Sequence, residues 1–169
     1  MKMNKKLLML GATFVLAAQF DTVAMAVDGV GDVVALVVAP LAVNETQTMN
    51  FGTVAGGPTA GTISMDINGN RTVLSGDAQI ITTGAGLPGI FTITGEAGAA
   101  ITVTTPDTTA TLTGGGGADM GFTLISPTFP TTVDGTDLQF GGVLSIGVNQ
   151  GAGSYTTVGD TYTVQVNYN

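Results

Sequence analysis

The chain reads as an all-β protein, a two-sheet antiparallel sandwich, on three features. Short runs rich in Val, Ile, Thr and Phe recur along its length, each ended by Gly, Pro, Asn or Asp. Thr (28) and Gly (26) make up nearly a third of the residues; the first favours strands and the second marks turns and bulges. Beyond the first two dozen residues no stretch carries a helical apolar period of useful length. Ample apolar content with only 9% charged residues also argues against disorder, which needs the opposite balance.

Taken in order, residues 32–43 form a near-continuous apolar run interrupted by Pro40, and residues 49–54 follow before a Gly56-Gly57-Pro58 turn. Residues 62–67 and 71–74 flank Asn68-Gly69, a strong hairpin signal because both residues accept the positive φ of a tight turn. Residues 79–82, 89–94 and 100–105 come next, the last stopping before Pro106. Residues 109–113 lead into the glycine run 114–117, and residues 122–125, 137–148 and 155–168 complete the series. The final stretch, from Tyr162 through Val164 and Val166 to Tyr168, alternates strictly with polar residues, the pattern of a half-buried strand. Many short strands at this spacing predict an immunoglobulin-like sandwich.

The first 26 residues have a different character. Lys2, Lys5 and Lys6 precede an apolar run over residues 7–18, and Ala24-Met25-Ala26 offers small residues for cleavage. This is the layout of a secretory signal peptide, too short in its apolar part for a span of about 20 residues. The expected organisation is therefore a leader over 1–26, an N-terminal extension over 27–37 and a β-sandwich domain over 38–169. Cleavage removes three of the four basic residues and one acid, Asp21, leaving eleven acids against Arg71 and a net charge near −10. Such a surface repels nucleic acid and anionic lipid, whose binding requires clustered Lys and Arg. The mature chain is expected to be secreted to the cell surface, with no membrane insertion.

Catalytic chemistry is sparse. The chain has no His and no Cys, hence no imidazole base, no thiol nucleophile and few transition-metal ligands. No Lys remains beyond the leader for Schiff-base chemistry. Carboxylate pairs drawn from Glu96, Asp107, Asp134 or Asp137 lie among Gly and Thr, without Trp to form a sugar platform. Asp66-Ile67-Asn68-Gly69-Asn70 begins like a calcium loop, but Arg71 stands where the loop needs Gly and no Glu closes it. The glycine run 114–117 lacks the Lys and following helix of a phosphate cradle. The expectation is a protein that is not an enzyme and uses no cofactor or metal.

Several tracts resemble the secreted bacterial domains grouped as domain of unknown function 4402. The likeness runs from Val38-Ala39-Pro40 through Met49-Asn50-Phe51-Gly52-Thr53 and the turn Asn68-Gly69-Asn70-Arg71-Thr72. It resumes at Phe91-Thr92-Ile93-Thr94-Gly95-Glu96 and is clearest from Gly142 through Asn149-Gln150 to Tyr155 and Tyr168. The name of that family implies no activity. More loosely, the tail from Gly153 to the penultimate Tyr168 is similar to archaic, spore-coat-U-like chaperone–usher pilins of Gram-negative bacteria.

The pilin resemblance implies a sandwich lacking one strand, which the N-terminal extension of the next subunit completes. On that reading the chain is a fimbria-like structural subunit that forms a homo-oligomer or filament, with a periplasmic chaperone and outer-membrane usher as partners. Val30, Val34 and Leu36 would be the donor side chains, and Val164, Val166 and Tyr168 would line the recipient groove. Two features depart from the pattern: the chain lacks the disulfide common in archaic subunits, and Asp32 shares the donor face. The alternative is a monomeric surface binding or adhesion module, closed by its own extension and using the loop 114–130 with Phe122 and Phe129.

Overall fold

The structure is a computed structural model that describes residues 28–169; the expected leader lies outside the described residues. The chain divides into two units, Met1–Ala35 and Leu36–Asn169. In the described part of the first unit no residue is in a strand, and Val30, Val33 and Val34 are at least 90% exposed.

The second unit is an antiparallel β-sandwich, with no helix among the described residues. Its strands are β1 (Ala42–Gln47), β2 (Val54–Ala55), β3 (Gly61–Met65), β4 (Arg71–Ser75), β5 (Gln79–Ile80), β6 (Gly89–Thr94), β7 (Ile101–Thr104), β8 (Thr109–Gly114), β9 (Met120–Ile125), β10 (Leu138–Ile146), β11 (Tyr155–Thr157) and β12 (Gln165–Tyr168). The order β1-β6-β10-β9-β8-β11 forms the main sheet, with β3 and β4 joined to it through β10. Two short pairs, β12 with β7 and β2 with β5, supply the rest.

β10 organises the whole. Its first residues, from Leu138 to Phe140, pair with β6, and its later ones pair with β3 and β9. Gly141 and Gly142 stand where these partners change. A Cβ on Gly141 would strike the Met65 carbonyl, and one on Gly142 the Phe122 ring, so both positions exclude side chains for reasons of space. Around this strand the largest fully buried side chains are Phe140, Ile63, Met65, Ile101 and Leu144. Alternation places them: β9 is buried at Met120, Phe122 and Leu124 and exposed between, and β3 is buried at its odd positions.

The hairpin at Asn68-Gly69 forms, with Gly69 at φ 81° and the turn closed by Asp66. Asp66 Oδ1 accepts the backbone N–H of Asn68 at 2.8 Å and of Asn70 at 2.9 Å, and its Oδ2 accepts the Asn70 amide at 2.8 Å. These bonds, led by the Asn70 side chain, hold the carboxyl below its ordinary value of 3.8 and account for the calcium-like spacing as a turn.

Three runs differ from the sequence reading, the first being residues 49–54, of which only Val54 lies in a strand and Asn50 in an isolated bridge. Of residues 32–43 only the end joins a strand, because no described backbone pairs with residues 32–41. Residues 155–168 break into β11 and β12 at Val158-Gly159-Asp160, although the in–out alternation of Val164, Val166 and Tyr168 holds. An apolar run signals a strand only where a partner lies beside it.

Candidate functional site: a groove between two strand edges

Residues 42–55 are bonded along one edge only. Gln47 pairs with Ile90, Asn50 exchanges both backbone bonds with Leu87, and Val54 pairs with Ile80. The opposite edge of this segment has no strand partner among the described residues. The same holds for β11, which pairs with β8 and presents its other edge unpaired. Between these two edges lies an open groove.

It contains two adjoining cavities of about 840 and 300 Å³. The larger is walled by residues 47–56 on one side and 150–156 on the other, over a floor of Leu112, Met120, Leu144 and Ile146. The smaller continues past Thr48, Met49, Phe51 and Leu112 to Phe91, Phe122 and Tyr162, with Glu45 and Thr161 at its mouth. The floor is thus the hydrophobic core itself, reached from outside.

Polar side chains brace the walls. Arg71 reaches across to donate to the Phe51 carbonyl, and its second nitrogen donates to the Thr82 carbonyl at 2.8 Å and the Gly84 carbonyl at 2.7 Å. The far end is closed where Asn149 N–H donates to the Gly57 carbonyl at 2.8 Å. Gln150 fixes that corner, accepting Gly147 N–H at 2.9 Å and donating to the Ala118 carbonyl and the Tyr155 hydroxyl. Below Tyr155 the glycine run has a packing role: any side chain on Gly115, at φ 56°, would enter the Tyr155 ring.

Tyr162 is the aromatic hub of the other end, with its ring 5.9 Å from Phe91, 5.8 Å from Phe122 and 6.3 Å from Phe140. Its hydroxyl is buried without a hydrogen-bond partner. Burial pushes the phenol up to about 12, and the Glu45 carboxylate adds to the shift, because both disfavour a phenolate.

The sequence-predicted residues fall as follows. Val30, Val34 and Leu36 are exposed, at 96, 90 and 88%. Val164 is buried, while Val166 and Tyr168 are half-buried against the core; none of the three lines either cavity. The reason is pairing, since β12 lies against β7 and its last tyrosine is bonded near the start of β1. Phe122 is buried in β9 and Phe129 packs on Phe140, so the loop 114–130 presents no exposed pair of phenylalanines. Among the candidate acids, Asp134 accepts Thr136 N–H within its own turn and Asp137 accepts the Thr92 hydroxyl at 2.6 Å. No cluster of three or more metal-ligating side chains occurs among the described residues.

Sequence reasoning missed the groove walls at 45–56 and 150–162, which lie about a hundred residues apart in the chain. The available signal was Tyr162, an apolar residue at the head of an alternating run whose facing partners are the phenylalanines of β6 and β9.

Fold and groove define a β-sandwich domain with an open groove, of mixed polar and apolar lining, between two strand edges that have no strand partner among the described residues. The chain belongs to the family described as domain of unknown function (DUF4402), whose model matches residues 41–168. No curated protein and no solved structure matches it.

Proposed function

We propose that the protein is a secreted, non-enzymatic structural subunit that assembles at the cell surface by strand addition, each copy inserting residues 28–37 into the groove of another. The observation that carries this reading is the pairing of two unfinished surfaces. One is a channel over apolar core with a free strand edge on each side. The other is a run in which Val30, Val33, Val34, Leu36 and Val37 are each at least 88% exposed. Five large apolar side chains so close together and so exposed are unusual for a surface that meets only water.

Length agrees. From Glu45 to Gly56 an extended backbone covers roughly 35 Å, and residues 28–37 extend over about the same distance. A strand buries one face, so two or three of the five side chains would enter the groove, worth about 1.5–3 kcal/mol each when fully buried. That sum is comparable with the loss of translational and rotational freedom on association, about 4–15 kcal/mol. The backbone ladder on both edges would then tip the balance, the usual basis of affinity in strand addition. An immunoglobulin-like fold and a chaperone and usher as partners belong to this proposal; the tail that carries the pilin likeness pairs with β7 and does not line the groove.

The test is the mobility of the mature protein on a denaturing gel with and without boiling. A high-mass ladder that collapses to one band on heating is expected, and deletion of residues 28–37 is expected to abolish it. A ladder that survives the deletion would sink the proposal.

A further inference from the structure

The junction between the extension and the domain is held by an unusual arrangement of bonds. The Tyr168 hydroxyl accepts the backbone N–H of Glu96 at 2.7 Å and donates to the Ala39 carbonyl at 2.8 Å. The Glu96 carboxylate in turn accepts Ala39 N–H at 3.4 Å. Both backbone groups of Ala39 are therefore bonded across the end of the β1–β6 pair, where Ala42 faces Thr94. Gly95 completes the fit: a Cβ there would meet the Leu41 side chain at 3.0 Å and press on the Tyr168 hydroxyl.

For a chain to fill its own groove, the segment before Ala39 must reverse and run back along the free edge of residues 42–55. The natural reversal is a β-turn with Pro40 in second position, because proline presets φ there. Such a hairpin needs the Ala39 N–H and carbonyl both turned to Ala42, and a backbone N–H has one proton to give, yet here that N–H donates to the Glu96 carboxylate and the carbonyl accepts Tyr168 O–H. We infer that Tyr168, with Glu96, is a latch on Ala39 that weighs against self-closure and so directs the extension to a second copy of the chain. Tyr168 is a positioning residue in this scheme, acting through Ala39 and not as part of the groove. The inference rests on the strand-addition reading and decides between its two forms, within and between chains.

The chain has no Cys, so an introduced pair reports unambiguously. One cysteine replaces Thr48, which lines both cavities, and the other replaces Val33 or Val34, sampling both faces of the extension. Oxidation of the full mature chain followed by a non-reducing gel separates a cross-link within a chain from one between chains. Between-chain ladders are expected with Tyr168 intact. Adding Tyr168→Phe, which keeps the ring and removes the two bonds, should move the ratio toward within-chain product roughly ten-fold, as expected for two lost bonds of ordinary strength. A residue that merely stabilises the domain would lower the melting temperature and leave that ratio unchanged. Ladders unaltered by Tyr168→Phe, or within-chain product in the parent protein, overturn the latch. Failure of both cysteine pairs to cross-link in any variant instead overturns strand addition itself.

Discussion

The two halves of the sandwich share one core and treat it differently. Where β10 runs between β3 and β9 both of its edges are bonded, and Phe140, Ile63 and Met65 have no exposure at all. Between residues 45–56 and 150–162 the same core surfaces as a channel floor, and Leu112 is only half-buried. The difference is one of coverage and not of composition, since both regions present aliphatic and aromatic side chains. Both regions draw on the same buried cluster, and the second leaves part of it beside an open groove.

Matched truncations measure that contrast. Leu138→Ala, in the sealed half at 3% exposure, is expected to cost about 2–5 kcal/mol, read from the midpoint of urea unfolding. An equally mild response to Leu138→Ala and to a surface change would show that the sealed half is not close-packed. Arg71→Gln should come next, at about 2 kcal/mol, because it strips charged donors from the Phe51, Thr82 and Gly84 carbonyls. It should also raise the binding of an apolar dye as the groove wall loosens; unchanged dye fluorescence would remove Arg71 from that role. Leu112→Ala, the same chemistry as Leu138→Ala on the channel floor, should cost only about 1–2 kcal/mol, since its side chain is already partly in water. If the two leucines prove equally costly, the channel is closed in solution.

The mildest test uses alkali. The Tyr162 phenol is raised in the folded protein, so its contribution is complete below the ordinary value of 10.0 and is lost as pH climbs through about 12. Thermal melts should fall over that window in the parent protein and fall less in Tyr162→Phe. At neutral pH Tyr162→Phe should be within about 0.5 kcal/mol of the parent, because the buried hydroxyl has no partner to lose. Occupancy of the groove sharpens this reading: an inserted strand would bury Tyr162 further and delay its titration.

Much of the sealed half could be read from the chain, and little of the open half. Local rules placed the hairpin at Asn68-Gly69, the alternation through Val164, Val166 and Tyr168, and the long strand around Leu138, because turn chemistry and period need only neighbours in sequence. The groove is formed by segments about a hundred residues apart, with Met49 on one wall and Thr156 on the other, and no local pattern encodes that approach. The apolar run before Pro40 resembled a strand because its composition suits a ladder, yet no described strand pairs with it. The penultimate tyrosine was conspicuous in the sequence, but its bond to Ala39 is a contact over 129 positions that only the fold supplies.

The position of β10 also sets a timetable. Its partners at Gly61–Met65 and Gly89–Thr94 emerge long before it does, and β7 likewise waits for β12, the last strand made. Neither the strand that unites the sheets nor the pair that flanks them can form until most of the chain has been synthesised. Pairings so distant in sequence are slow to close, and domains dominated by them fold on the millisecond-to-second scale. A chain built this way stays open while it is being made and commits to its shape only when its last strands are present.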